Sequence, residues 1–180
     1  MCGNNELVEI SLRCGADRAA VIPVEEIPFD PGLRAYCEAN VCGCYGKNYA
    51  CPPGVGPAED VIAKARRHER ALVLQSIGRL EDSFDWEGMR RAAERHAEIA
   101  AATAGELRER GLAFLQLGAG GCTVCPVCAQ AEGAPCRFPD RAVSSLEAYC
   151  VNVSTLAAQC GMKYINGENT VTYFSAYLFA

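Results

Sequence analysis

Ala71-Leu-Val-Leu-Gln-Ser-Ile77 is an almost unbroken apolar run, the pattern of a strand covered on both faces. The segment after it reads as the clearest helix in the chain. Asp85 is placed to cap it and Gly111 to end it, while Trp86, Met89, Ala93, Ala97, Ala100, Ala104 and Leu107 recur at helical spacing. Leu112-Ala-Phe-Leu-Gln-Leu117 then reads as a second buried strand. Strand, crossover helix and strand make a βαβ unit. It is expected to be parallel and right-handed, because a twisted strand feeding a right-handed helix packs back onto its sheet only in that sense. The fold class that follows is α/β.

Working outward, Glu6 to Cys14 reads as a short helix ended by Gly15, and Arg18 to Pro23 as a short strand stopped by its proline. Pro31 to Glu38 suits one or two helical turns. Pro57 suits the first position of a helix, where its missing N–H costs nothing. That helix is expected to reach about Arg70, with Val61, Ile62, Ala65 and Leu72 on one side. Ser-Ser-Leu-Glu147 fits a capping box, so a helix is expected from Ser144 to Gly161, packed through Leu146, Tyr149, Val153, Leu156 and Cys160. The chain closes on an expected hairpin, Met162 to Ile165 and Thr170 to Phe179 about an Asn166-Gly167 turn. No repeat or low-complexity segment interrupts this order. The reading is one α/β domain over 1–180 with a βαβ unit, a C-terminal hairpin and two cysteine-rich loops at 37–53 and 121–139.

Half of the 180 residues are hydrophobic and 22% are charged, which allows an ordinary core and argues against disorder. Net charge is −5, and Lys and Arg are dispersed rather than drawn into the stripe that a phosphate backbone requires. Nucleic acid is therefore not an expected partner. No stretch approaches the roughly 20 apolar residues that cross a bilayer, so no membrane association is expected. Met1-Cys2-Gly3-Asn4-Asn5-Glu6 has neither the basic nor the apolar region of a secretory signal, and the expected location is the cytoplasm. In that reducing compartment twelve cysteines point to metal ligation or redox chemistry rather than disulfides.

Eight of the twelve are bunched in two tetrads. Cys122, Cys125, Cys128 and Cys136 form C-x2-C-x2-C-x7-C, just beyond the second buried strand, where α/β proteins place their sites. Three thiols at this spacing let one tight loop wrap a cubane, as in bacterial ferredoxin-type runs, whereas structural zinc more often takes two separated hooks. A [4Fe–4S] cluster is the first expectation and zinc the alternative. Gly118, Gly120 and Gly121 leave room for backbone N–H groups to approach cluster sulfurs, and Arg137 and Arg141 are placed to offset the cluster's negative charge.

The first tetrad, Cys37, Cys42, Cys44 and Cys51, is C-x4-C-x-C-x6-C, a spacing foreign to zinc fingers. Cys42 and Cys44 share one centre only if the chain bends sharply at Gly43, which makes Cys44 the ligand in question. Cys51, followed by Pro52-Pro53, has the form of the remote Cys-Pro ligand of ferredoxin-type sites and suits either centre. Tyr45, Lys47 and Tyr49 stand either to shield a bound group or to pack the loop.

At these residues the chain resembles a known family. Cys-x4-Cys-x2-Tyr-Gly-Lys-x3-Cys-Pro-Pro at 37–53, Gly-Cys-x2-Cys-x2-Cys at 121–128, Pro-Cys-Arg-x-Pro at 135–139 and Ser-Leu-Glu-Ala-Tyr at 145–149 are similar to the bacterial and archaeal family of predicted metal-binding proteins of unknown function. The likeness spans about Leu12 to Tyr164 and implies metal binding without an assigned reaction. It matches Cys37, Cys42 and Cys51 in the first run and all four cysteines of the second. Cys44 is an addition to that pattern, and Cys150 stands where the family often has glycine, which implies packing rather than ligation. With only three family thiols, the first centre would keep an open iron for a substrate or an outside ligand.

The remaining candidates read as structural. Cys150 and Cys160 fall on an apolar helix side, Cys14 ends a short helix, and Cys2 has no ligand company. Of the two histidines, His68 serves a helix end and His96 borders a packing stripe. Gly118-Ala-Gly-Gly121 leads into cysteines rather than a helix, so it is not a nucleotide loop. Three functional readings remain: an iron–sulfur protein with one or two [4Fe–4S] clusters serving a redox partner protein, a structural zinc protein that pins loops for a partner, and a redox enzyme with an open cluster site.

Overall fold

The apolar run at 71–77 is a strand in the computed structural model, which describes residues 2–180. In chain order the elements are α1 (Asn4–Arg13), β1 (Arg18–Pro23), α2 (Arg34–Glu38), α3 (Ala58–Ala65), β2 (Arg70–Arg79), α4 (Trp86–Glu109), β3 (Leu115–Gly118), β4 (Ser144–Ser145), α5 (Val153–Gln159) and β5 (Thr170–Phe179). The five strands form one mixed sheet in the order β1-β2-β5-β3-β4. The fold class is α/β, as the alternation of patterns requires.

Helices cover both faces. On one, Ala71 and Val73 pack with Val61 and Ile62 of α3 and Leu156 of α5. On the other, Leu72 and Leu74 pack with Leu7 and Ile10 of α1 and with Ile99 and Leu107 of α4. Neighbouring residues of β2 thus enter opposite cores, which is why its apolar run does not alternate.

The βαβ unit is present in a split form. β2 and β3 are each antiparallel to β5, so they run in the same sense, but β5 lies between them and they do not pair. β5 pairs with β2 over its whole length, from Arg70↔Phe179 to Arg79↔Thr170, and its side chains enter both cores. An apolar strand with two buried faces gains most from the middle of a sheet.

For the same reason the C-terminal hairpin does not form. Met162–Ile165 is not a strand; Met162 is buried, Ile165 is exposed, and the Lys163 carbonyl accepts the Gln75 Nε2 at 2.7 Å. Strand β5 finds its partners far away in sequence instead.

The helix expected from Ser144 begins only at Val153. Ser144 and Ser145 pair in parallel with Leu117 and Gly118. The Ser145 Oγ accepts the Ala148 N–H at 3.1 Å, so the capping pattern closes a single 3-10 turn over Glu147–Tyr149. Cys150 then takes a left-handed φ of 59°, which ends the turn, and Asn152 caps α5 through the Thr155 N–H. A left-handed residue favours glycine, and a cysteine takes that conformation here. Cys150 itself is fully buried.

α4 is capped by Asp85, whose Oδ1 accepts the Gly88 N–H at 2.7 Å. Its packed face is rotated from the expected stripe: Ala92, His96, Ile99, Thr103, Ala104 and Leu107 are buried, while Trp86 is exposed. The large Ile99 and Leu107 set the face, and Ala92 lies directly over Gly78 of β2, where any Cβ would collide with it. Pro57 sits one position earlier than expected, as the residue before α3. That helix stops at Ala65 because Arg70 already pairs in the sheet.

Candidate metal centre

β3 ends at Gly118, and the chain leaves the sheet for 119–143 before returning as β4. Gly120 (φ 74°) and Gly133 (φ 64°) take left-handed conformations at the turns of this excursion. Within it Cys122, Cys125, Cys128 and Cys136 line one small cavity of about 20 Å³, with Asn48 and Tyr49 of the first cysteine loop on its wall. The Tyr49 hydroxyl donates to the Ala134 carbonyl at 2.8 Å, so the first loop roofs the second. Arg137 donates to the Val127 carbonyl at 3.0 Å and to the Glu132 carboxylate. Its guanidinium is thus engaged in closing the loop, not free to balance charge as the sequence led us to expect.

The first run lies between α2 and α3. Cys37 is on α2, Cys42 and Cys44 follow in a turn, and Cys51 is buried. The bend required at Gly43 is present, at φ 72°. The Cys44 Sγ lies 3.7 Å from the Cys42 carbonyl oxygen, and Cys42 and Cys51 are its neighbouring thiols. The neighbouring thiols that raise Cys51 are Cys44, Cys42 and Cys37 of its own run.

Burial pushes the Cys37, Cys44 and Cys51 thiols above the usual range. The Cys42 thiol raises Cys44 further. Arg34 opposes the rise at Cys37, and a hydrogen bond from Asn48 opposes it at Cys51. Buried thiols of this kind hold their protons until a cation compensates the thiolate charge, which is what a metal does for its ligands.

The two runs form one region. A Cβ on Gly121 would stand 3.2 Å from the Cys44 Sγ and 3.7 Å from the Asn48 Nδ2. A Cβ on Gly54 would stand 2.8 Å from both the Asn48 carbonyl and the Gln130 Nε2. Glycine at these two places is what lets the loops touch. Arg34 locks the first loop from the side, donating to the carbonyls of Gly56 (3.2 Å) and Ala148 (3.1 Å).

Arg34, Asn48, Gly54 and Gln130 were not singled out by sequence. Only Arg34 left a signal there, standing one helical turn before Cys37; the others matter through contacts between distant segments. All twelve cysteines are free. Among the described residues no three His, Cys, Asp or Glu side chains stand close enough to share a single ion.

The residues set aside are elsewhere. Cys160 is half-buried and its thiol is pushed up to about 11 by burial. His68 bonds to the Ala65 carbonyl at the end of α3. His96 is buried between the hydroxyls of Ser76 and Ser175, 2.8 Å from each. Neither histidine joins the thiols. No helix among the described residues is long and apolar enough to cross a membrane.

The donor set fits a soft metal: free thiols in two adjoining groups, in the region where sequence spacing had placed them. No curated protein and no solved structure matches the chain. A family model described as predicted metal-binding protein, DUF2284, matches residues 20–179. The chain belongs to that family of predicted metal-binding proteins.

Proposed function

We propose that this is a cytoplasmic iron–sulfur protein that exchanges electrons with a partner protein. Cys122, Cys125, Cys128 and Cys136 hold one [4Fe–4S] cluster. Cys37, Cys42 and Cys51, joined by Cys44, hold a second. The observation that carries this reading is the lining of a single cavity by all four thiols of the C-x2-C-x2-C-x7-C run. A single zinc ion draws its sulfurs to about 2.3 Å from one point, whereas cluster ligands bind separate irons. Four thiols that line one cavity with no three converging on a single point suit ligands to separate irons.

When bound, such a cluster supplies one-electron redox chemistry at a potential set by burial and hydrogen bonding. The chain's own residues do the rest. Tyr49 and Asn48 close the second loop against the first and limit water access. Arg34 and Asn48 favour the ionised form of Cys37 and Cys51, as ligation requires. Exposed Val127 and Phe138 flank Cys128 and Cys136 and offer an apolar contact at the point of electron exchange. The proximity of Cys44 to Cys42 and Cys51 favours a closed first centre over one with an open iron.

One observation favours zinc as the second reading. The cavity of about 20 Å³ has room for about one water-sized body, and a cubane requires the 119–143 loop to spread. Anaerobic purification followed by iron, zinc and acid-labile sulfide analysis separates the two. We expect about four irons and four sulfides per occupied centre, with a broad visible absorption. A colourless protein from iron-replete cells that carries zinc and no sulfide would sink the iron–sulfur reading. Cys44→Ala then tests the first centre, since retention of its full iron and sulfide would show that Cys44 is not a ligand.

A further inference from the structure

Beside the second cysteine loop, α4, β3 and β5 line a second cavity of about 430 Å³. That is a volume typical of sites for small organic ligands. One wall is the alanine-rich side of α4 left outside the packed stripe, including Ala97 and Ala101. The opposite wall is backbone of 118–121, continuing through Cys122. The buried Ser175 hydroxyl, fixed by His96, forms part of the floor.

Charge decides what such a space accepts. Its lining includes Arg108 and Arg141 and no Asp or Glu, although acidic residues outnumber basic ones in the chain, 22 to 17. Among the described residues neither arginine has a carboxylate partner, whereas Arg90, Arg95, Arg110 and Arg137 all do. Each is braced by an aromatic ring instead: Arg108 lies 5.2 Å from the Phe114 centroid and Arg141 5.3 Å from that of Phe138. Guanidinium groups held in place without a protein anion are suited to bidentate recognition of an oxyanion. The alanine wall and the Tyr173 ring offer the apolar surface for the body of the same ligand.

We propose that this cavity binds a small organic oxyanion, a carboxylate or phosphate monoester with a compact apolar body, which Arg108 and Arg141 hold by its charged end. The site stands on geometry that includes Cys122, so the ligand would rest against the backbone of the second metal loop. This goes beyond an electron-carrying role, because a carrier alone requires no such cavity. It does not depend on which metal is bound.

Isothermal titration calorimetry on the protein as purified, with metal content measured on the same sample, tests it. The probes are benzoate and phenyl phosphate, which separate the two oxyanion sources, and benzamide, which keeps the shape without the charge. We expect at least one anion to bind about tenfold or more tighter than benzamide, because only the anions form charge-assisted hydrogen bonds with the guanidinium groups. Arg108→Gln and Arg141→Gln, both at exposed positions, should each weaken that anion about tenfold. Ala97→Trp should abolish binding by filling the cavity, and Ala102→Trp, on the same helix outside the lining, should leave it unchanged. Equal affinity for anion and amide, or anion binding that survives both arginine changes, overturns the proposal. Binding by a sample that contains zinc and no sulfide would leave the oxyanion site standing while removing the iron–sulfur reading.

Discussion

In the sheet, Leu72, Leu74, Tyr177 and Leu178 have no exposed surface, and β2 pairs with β5 from Arg70 to Arg79 without a break. In the second cysteine loop, across 119–142, only Ala129 is buried, and the segment is held by turns, the Arg137 bridge and the Tyr49 hydroxyl. Hydrophobic burial is proportional to apolar area removed from water, so it stabilises the sheet and does little for the loop. The loop's order comes from its turns and hydrogen bonds. The molecule is thus a frame stabilised by burial that carries a cysteine-rich region held by turns and hydrogen bonds.

The largest expected effect falls on the frame. Tyr177→Ala removes a fully buried ring and its 2.7 Å bond to the Ala100 carbonyl, and should cost about 3–5 kcal/mol. Urea unfolding of metal-loaded and metal-free protein should give the same loss. A loss that depended on metal would break the division between frame and loops.

Next is a pH effect within the frame. His96 is held down to about 4 by burial, with the nearby Arg95 charge adding to the depression. The Tyr173 ring lies tilted against it, with centroids 5.7 Å apart, and the two serine hydroxyls satisfy a neutral ring. Between pH 6.5 and 4 the unfolded chain therefore takes up a proton that the folded chain does not. The contribution of neutral His96 is complete above pH 6.5 and declines by about 3 kcal/mol as pH falls to 4. The difference in stability between the parent protein and His96→Gln, followed by denaturation over pH 4–7.5, should show this slope.

Gly78→Ala should follow, at about 1–3 kcal/mol, because the new methyl meets Ala92 on α4. Thermal unfolding should register it with metal content unaltered. The smallest global effect belongs to the loops. Tyr49→Phe removes one hydrogen bond, about 1 kcal/mol, and should leave the far-ultraviolet circular dichroism of the sheet intact. It should still speed loss of metal to a chelator. Gly121→Ala, which pushes a methyl towards the Cys44 Sγ, should lower the metal content of the first centre with little change in melting temperature. Were either loop variant to unfold the sheet, frame and loops would be one cooperative unit.

Much of the frame was legible because its signals are local. Strand β1, the capped start of α4 at Asp85 and the doubly buried β2 each rest on the side-chain period of one segment. The failures were non-local. Nothing in 162–179 says that β5 will pass over its neighbour Met162–Ile165 and pair with β2 and β3. The Ser144 capping pattern gave no sign that the helix would stop after one turn, with Cys150 turned left-handed and Val151 drawn into the core. Trp86 and Ala93 matched a helical stripe, but Ile99, Leu107 and the gap at Gly78 decided which side of α4 faces the sheet.

The sequence by itself determined the class of fold, the two groups of cysteines and the likeness to a predicted metal-binding family, because periodicity and cysteine spacing are properties of short stretches. Only the tertiary structure decided that the two groups adjoin through Gly121 and Gly54. It alone set Tyr49 and Asn48 of one run over the thiols of the other, and enclosed Arg108 and Arg141 around a shared cavity. Those arrangements depend on segments tens of residues apart, brought together by burying β5 in the middle of the sheet.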